Sequence, residues 1–157
     1  MKKIGFLTRL NQEGKLKLTE PSETIKESYL QKSRNTLQSA KILIENNQVE
    51  NAVPMAYYSM YHLLTALLYK TGIRCENHTG AILLLKELFG QDNHDIHYAK
   101  TERVDKQYYV DFKINREEVK NLIKMAETFN ARIYDFLDKL TTQQAEKYRE
   151  EVKRALP

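Results

Sequence analysis

Ala52-Val53-Pro54-Met55-Ala56-Tyr57-Tyr58-Ser59-Met60-Tyr61-His62-Leu63-Leu64-Thr65-Ala66-Leu67-Leu68-Tyr69-Lys70 carries no formal charge before its last residue. Apolar side chains recur here at helical spacing and also fill most positions in between, so a helix over about 50–70 has little polar face. Such a helix is normally buried on most sides, and it is predicted to form the centre of the domain. Pro54 suits only the neighbourhood of the first turn, where a missing N–H costs little. Thr71-Gly72 then stops the helix.

Upstream, Pro21-Ser22-Glu23 reads as a helix start, with Ser22 as the cap and Glu23 at the positive end of the dipole. That helix is expected from Ser22 to Asn46, with Ile25, Tyr29, Leu37, Ala40 and Ile44 on one stripe, widened by Leu30 and Leu43. Downstream, Asn77 caps a helix from His78 to about Phe89, ended by Gly90. Residues 91–114 are polar and read as a short helix around Asp95–Tyr108 followed by a loop. Asn115 opens a strong helix to about Leu140; Val119, Ile123, Ala126, Ile133, Leu137 and Leu140 form one row, beside Leu122, Phe129 and Phe136. A charged helix, Thr142 to Ala155, is read as a solvated or partner-facing surface. The fold class is therefore all-α, an up-and-down helical bundle of four main helices with extra short helices. The expected organisation is a basic N-terminal arm (1–21), the bundle (22–140) and the charged C-terminal helix (141–157).

Composition agrees with this reading. The chain has 157 residues, 41% hydrophobic and 29% charged, which suits one globular domain. Its 5 glycines and 3 prolines are too few for the many tight turns of a β-sandwich or barrel. Cys75 is the single cysteine, so neither an intramolecular disulfide nor a site of several thiolates is available. No apolar run has spanning length and no signal-peptide pattern is evident, so no membrane association is expected and the cytoplasm is the expected compartment. Net charge is +4, of which the first 20 residues contribute +3 through Lys2, Lys3, Arg9, Lys15 and Lys17 against Glu13 and Glu20. The arm is read either as a solvated terminal segment or as a contact for phosphate.

The stretch Ala52 to His62 resembles the second-helix signature of HEPN-domain proteins: Ala-Tyr-Tyr, a hydrophobic pair, then an aromatic and often a histidine. Gly72 through Asn77-His78-Thr79-Gly80 is similar to that family's Gly-x-x-x-Lys-Thr-His-Ser-Gly segment. Arg103-Val104-Asp105-Lys106-Gln107-Tyr108 matches the spacing of its Arg-x-x-x-Asp-Tyr, with Gln107 in place of the aspartate. Ala126 and Phe129 fit its last long helix, and the likeness runs from about Ser22 to Leu140. The resemblance implies a helical bundle that commonly forms a homodimer through its central helices. It also implies frequent pairing with a minimal nucleotidyltransferase in toxin–antitoxin-like modules. Many members are metal-independent ribonucleases whose arginine is followed, after four to six residues, by a histidine. In that chemistry histidine handles the 2′-OH proton and arginine stabilises the phosphorane charge.

Here the linear motif is missing. The histidines are His62, His78, His94 and His97, so none follows Arg103, and only three residues separate Arg74 from His78. Tyr108 and Tyr109 stand where a nuclease would carry histidine, and tyrosine, with an ordinary pKa near 10, is a poor general base at neutral pH. The nucleotide- or RNA-binding candidates are accordingly Arg103, Tyr108, Tyr109, Asn77, His78, Tyr58 and His62. Arg103 and the tyrosines suit phosphate plus stacking, or alternatively a salt bridge with packed rings; Asn77-His78 suits an anion at a helix start, or simple capping. Tyr108 or Tyr109 is also a candidate for nucleotidylation by the partner, by resemblance. Tyr57 and Tyr61, one turn apart, are read as core or dimer interface. Tyr58 lies on another face, shared with His62, although His62 is also readable as a buried structural histidine. His94 and His97 lack a third ligand, so neither a metal nor another cofactor is expected. Cys75 lacks a base at helical spacing. Three functions stay open: a nucleotide- or RNA-binding protein with a nucleotidyltransferase partner, a ribonuclease using Arg103 and His78, and a non-catalytic dimeric adaptor.

Overall fold

Local capping chemistry sets the helix starts. Ser22 Oγ accepts from Ile25 N at 3.1 Å, Asn77 Oδ1 from Gly80 N at 2.9 Å, and Asn115 Oδ1 from Glu118 N at 2.8 Å. Thr141 and Gln144 make a reciprocal capping box. A computed structural model describes residues 4–108 and 114–156, the side chains of 104–108 excepted. Its elements are α1 (Gly5–Gln12), β1 (Leu16–Leu18), α2 (Glu23–Glu45), α3 (Val49–Lys70), β2 (Ile73–Cys75), α4 (His78–Glu87), α5 (His94–Tyr108), α6 (Arg116–Lys139) and α7 (Thr142–Ala155). The fold is all-α, with one small two-stranded ribbon.

As its composition predicts, α3 is the hub: it packs along α2 and against α4, α5 and α6. From Ala52 to Leu68 it buries eleven residues. Pro54 falls in the second turn because the helix begins at Val49. Its missing N–H forgoes only the Glu50 carbonyl, near the exposed helix start. A tight turn at Asn47, whose φ of 61° is the left-handed value asparagine tolerates, joins α2 to α3. Arg116 Nη1 locks that turn by donating to Ile44 O at 2.7 Å.

The buried stripe of α2 keeps Leu30, Ala40 and Ile44 from the expected one and adds Ser33, whereas Ile25 is exposed and Tyr29 is half-buried. Ser33 takes a core position because its hydroxyl donates to Ser59 O at 2.7 Å, which removes the penalty of burying it. On α6 both expected apolar rows face the core, from Val119 to Leu137.

Residues 4–20 are not a solvated tail. Leu7, Leu10 and Leu16 join the core, each worth about 1.5–3 kcal/mol relative to exposure. The ribbon was not foreseen: β1 pairs antiparallel with β2, placing Leu16 opposite Cys75 and Leu18 opposite Ile73. Two glycines permit this docking. A Cβ on Gly72, at φ +68°, would lie 2.6 Å from the Thr19 carbonyl oxygen, and one on Gly80 would lie 2.5 Å from Leu10 Cδ1. The charged α7 also docks, burying Ala145 and Val152, setting Tyr148 edge-on to Phe89 at 4.9 Å and sending Arg149 Nη2 to Thr19 O. No helix among the described residues is long and apolar enough to cross a membrane.

Candidate functional site

Near the middle of α3 the helical repeat places Tyr57 and Tyr61 one turn apart, with Tyr58 and His62 on the adjoining face. Against this double row the chain brings His78, first residue of α4, and Arg103 of α5. Tyr57 is fully buried, yet its hydroxyl lies 2.7 Å from His78 Nδ1. Tyr61 stacks on the face of the same imidazole, with centroids 3.9 Å apart. Arg103 donates from Nη1 to the Tyr58 hydroxyl at 2.8 Å, and its guanidinium sits 5.1 Å from the Tyr57 ring centre and 5.5 Å from that of Tyr58. His78 and Arg103 are thereby joined through two neighbouring tyrosines, although they are distant in sequence.

The electrostatics follow from this packing. Burial, then the Arg103 and Lys100 charges, pushes the His78 pKa below the ordinary value, so the imidazole is neutral near pH 7. Burial pushes the Tyr57 and Tyr61 hydroxyls upward, so both stay protonated. Tyr57 can therefore donate to His78 Nδ1, or accept from it in the other tautomer; either way it fixes the ring and leaves Nε2 for a second partner. Burial, aided by Lys32 and His78, also lowers the pKa of His62. Burial raises the Cys75 thiol above its usual range, so the thiolate is disfavoured.

Behind Tyr58 and Tyr61 a cleft of about 390 Å³ opens between α2, α3 and β2. Its wall continues the aromatic row: Tyr58 stacks with His62 at 6.0 Å, His62 meets Tyr29 at 5.8 Å, and Tyr29 stacks on Tyr69 at 5.7 Å.

Of the residues singled out from sequence, Arg103, His78, Tyr58 and His62 thus come together around α3. Asn77 stands beside them, but its Oδ1 is engaged in capping α4. The backbone of Tyr108 ends α5, while its side chain and all of Tyr109 lie outside the described residues. His94 is exposed next to Asp95, and no group of three or more His, Cys, Asp or Glu side chains among the described residues is placed to hold a metal. Sequence reasoning passed over Tyr57 as a site residue, because full burial and a polar role look alike in an apolar helix. It also passed over Tyr29, Lys32 and Tyr69 as cleft residues, since nothing local distinguishes them from packing or surface positions.

A family model described as the HEPN domain matches residues 26–140. A UPF0332 protein of Thermotoga maritima is 27% identical over 125 residues, covering 75% of this chain and 95% of that protein. A Methanocaldococcus jannaschii protein named as a candidate toxin is 29% identical over 114 residues, 68% of this chain and 84% of the relative. A UPF0332 protein of Pyrococcus horikoshii is 34% identical over 82 residues, 52% of this chain and about half (51%) of the relative. The matched span runs from the first turns of α2 to the end of α6 and contains the whole α3–α4–α5 site, so the chain belongs to the HEPN-domain family.

Proposed function

We propose that this HEPN-domain protein binds a nucleotide or RNA phosphate where Arg103 meets His78. In this reading it works as a homodimer with a nucleotidyltransferase partner in a toxin–antitoxin-like module. The observation that carries the phosphate site is the convergence of Arg103 and His78 on Tyr57 and Tyr58. A guanidinium held by rings keeps its charge and presents several donors, which is what a phosphate needs. The imidazole supplies a second, fixed hydrogen-bonding nitrogen. The module rests on the family and on the archaeal relative's name as a candidate toxin.

The test is binding of a labelled single-stranded RNA to wild type and to Arg103→Ala. Losing a hydrogen bond to a charged group, about 1.5–3 kcal/mol, predicts an affinity about 10- to 150-fold weaker, with helical content retained. Unchanged affinity in the folded variant refutes the site.

One observation favours a second reading. His78 and Arg103 both lie against Tyr57, so the arginine–histidine pair that is missing from the linear sequence is approximated in space. With Tyr57 fixing Nδ1, Nε2 is available for proton transfer from a 2′-OH while Arg103 stabilises the phosphorane. A ribonuclease of this kind cleaves RNA in EDTA and loses activity in both His78→Ala and Arg103→Ala. Intact RNA after incubation with folded wild type rejects it.

A further inference from the structure

We propose that the cleft between α2, α3 and β2 is a base pocket: it takes the nucleobase of a nucleoside 5′-phosphate whose phosphate lies at the His78–Arg103 end. This rests on the proposed phosphate site and extends it to residues that the Arg103–His78 junction does not include.

Four features of the cleft converge on this ligand class. The first is its walls. Tyr29 from α2, Tyr58, His62 and Tyr69 from α3, and the Tyr61–His78 stack place ring after ring along one half-buried depression, where an ordinary core would interlock aliphatic side chains. Flat π-faces of this kind stack nucleobases with little regard to their identity. The second is size: about 390 Å³ lies at the lower end of the range that encloses small organic ligands, roughly 300–1,000 Å³, and suits one nucleotide.

The third feature is charge. Lys32 holds its ammonium 5.0 Å from the Tyr29 ring centre, with no carboxylate partner among the described residues. Arg74 lies on the same cleft and neutralises Glu76, which also lines it, at 2.6 Å. The lining is therefore net cationic. The fourth is His62, whose Nδ1 is buried and has no hydrogen-bond partner among the described residues. Buried polar atoms are normally matched, and once its ring turns this nitrogen toward the cleft the neutral imidazole can give or take a hydrogen bond at the edge of a base. A bare anion would leave the ring wall unused, and an apolar ligand would leave Lys32 and His62 unmatched. A flat heterocycle with an anionic tail uses all of them. Tyr58 joins the two parts of the site, since its ring lines the cleft and its hydroxyl receives Arg103.

The experiment titrates adenosine 5′-monophosphate and ribose 5-phosphate into wild type, Tyr29→Leu, His62→Gln and Arg103→Ala, following amide shifts by NMR. In wild type the nucleotide is expected to bind about tenfold more tightly than the sugar phosphate, the increment of one stacked base. Tyr29→Leu and His62→Gln should shrink that difference and leave ribose 5-phosphate binding as it was, while Arg103→Ala should weaken both probes. Equal affinities for the two probes in wild type overturn the pocket, as does a base-dependent difference that survives both cleft variants. Two variants on different helices guard against a single folding defect. Should neither probe bind, the pocket is rejected, and the phosphate site is judged separately by RNA binding of Arg103→Ala.

Discussion

Tyr57→Phe deletes one oxygen from the centre of the site and nothing else. The ring is buried between Tyr58 and Tyr61 and under Arg103, so phenylalanine keeps the volume and leaves no cavity. What disappears is the 2.7 Å hydrogen bond to His78 Nδ1. The net worth of such a bond is about 1 kcal/mol, which in a chain of this size lowers Tm by about 2–4 °C. The same loss frees the imidazole to rotate, so RNA affinity should fall about fivefold, the equivalent of about 1 kcal/mol. Thermal denaturation followed by circular dichroism reads the first effect and fluorescence anisotropy with labelled RNA reads the second. The 15N shifts of the imidazole report whether His78 has lost a fixed tautomer. Two results refute the reasoning. A destabilisation of about 3–5 kcal/mol, as for deleting a core ring, would mean that the hydroxyl supports packing rather than one histidine. Unchanged Tm together with unchanged RNA affinity would mean that the bond orients nothing.

Two further outcomes follow from the geometry. Gly72→Ala places a side chain at φ +68° with its Cβ 2.6 Å from the Thr19 carbonyl oxygen, so urea denaturation should show a loss of about 3 kcal/mol; less than about 1 kcal/mol would show that the β1–β2 clasp yields easily. Acid should weaken the fold through His62 and His78, whose folded-state pKa values are both depressed by burial. Their contribution is fully present above the ordinary histidine value of about 6.5 and is lost as pH falls through the lower folded-state values, because the unfolded chain binds the protons first. Tm should thus fall as pH drops below about 6.5, and fall less in the His62→Gln/His78→Gln double variant; parallel curves would remove the histidines as the cause.

The sequence is most legible where one helix contains its own evidence. The apolar run from Ala52 to Leu68 announces a buried central helix because burial on nearly every face demands apolar side chains on nearly every face. Ser22, Asn77, Asn115 and Thr141 cap helices with bonds made within three residues, so their role is visible in a short window. The two rows of α6 are likewise a local period. The α2 stripe was less legible, since Ser33 is a core residue only because Ser59 O is there to receive its hydroxyl.

Proximity between distant segments was decided by the tertiary structure alone. The two strands have only three residues each and pair across the α2–α3 hairpin, so neither carries a strand period that a sequence window could detect. Their pairing, and the burial of Leu7, Leu10 and Leu16, exists because Gly72 and Gly80 let the first segment approach the bundle closely. The site follows the same rule. Tyr57 and His78 are 21 residues apart, and Tyr58 and Arg103 are 45 apart. Local sequence prescribes the helices that carry them; which side chains meet depends on how those helices pack, because hydrogen bonds and ring contacts act over a few ångströms of space whatever the separation along the chain.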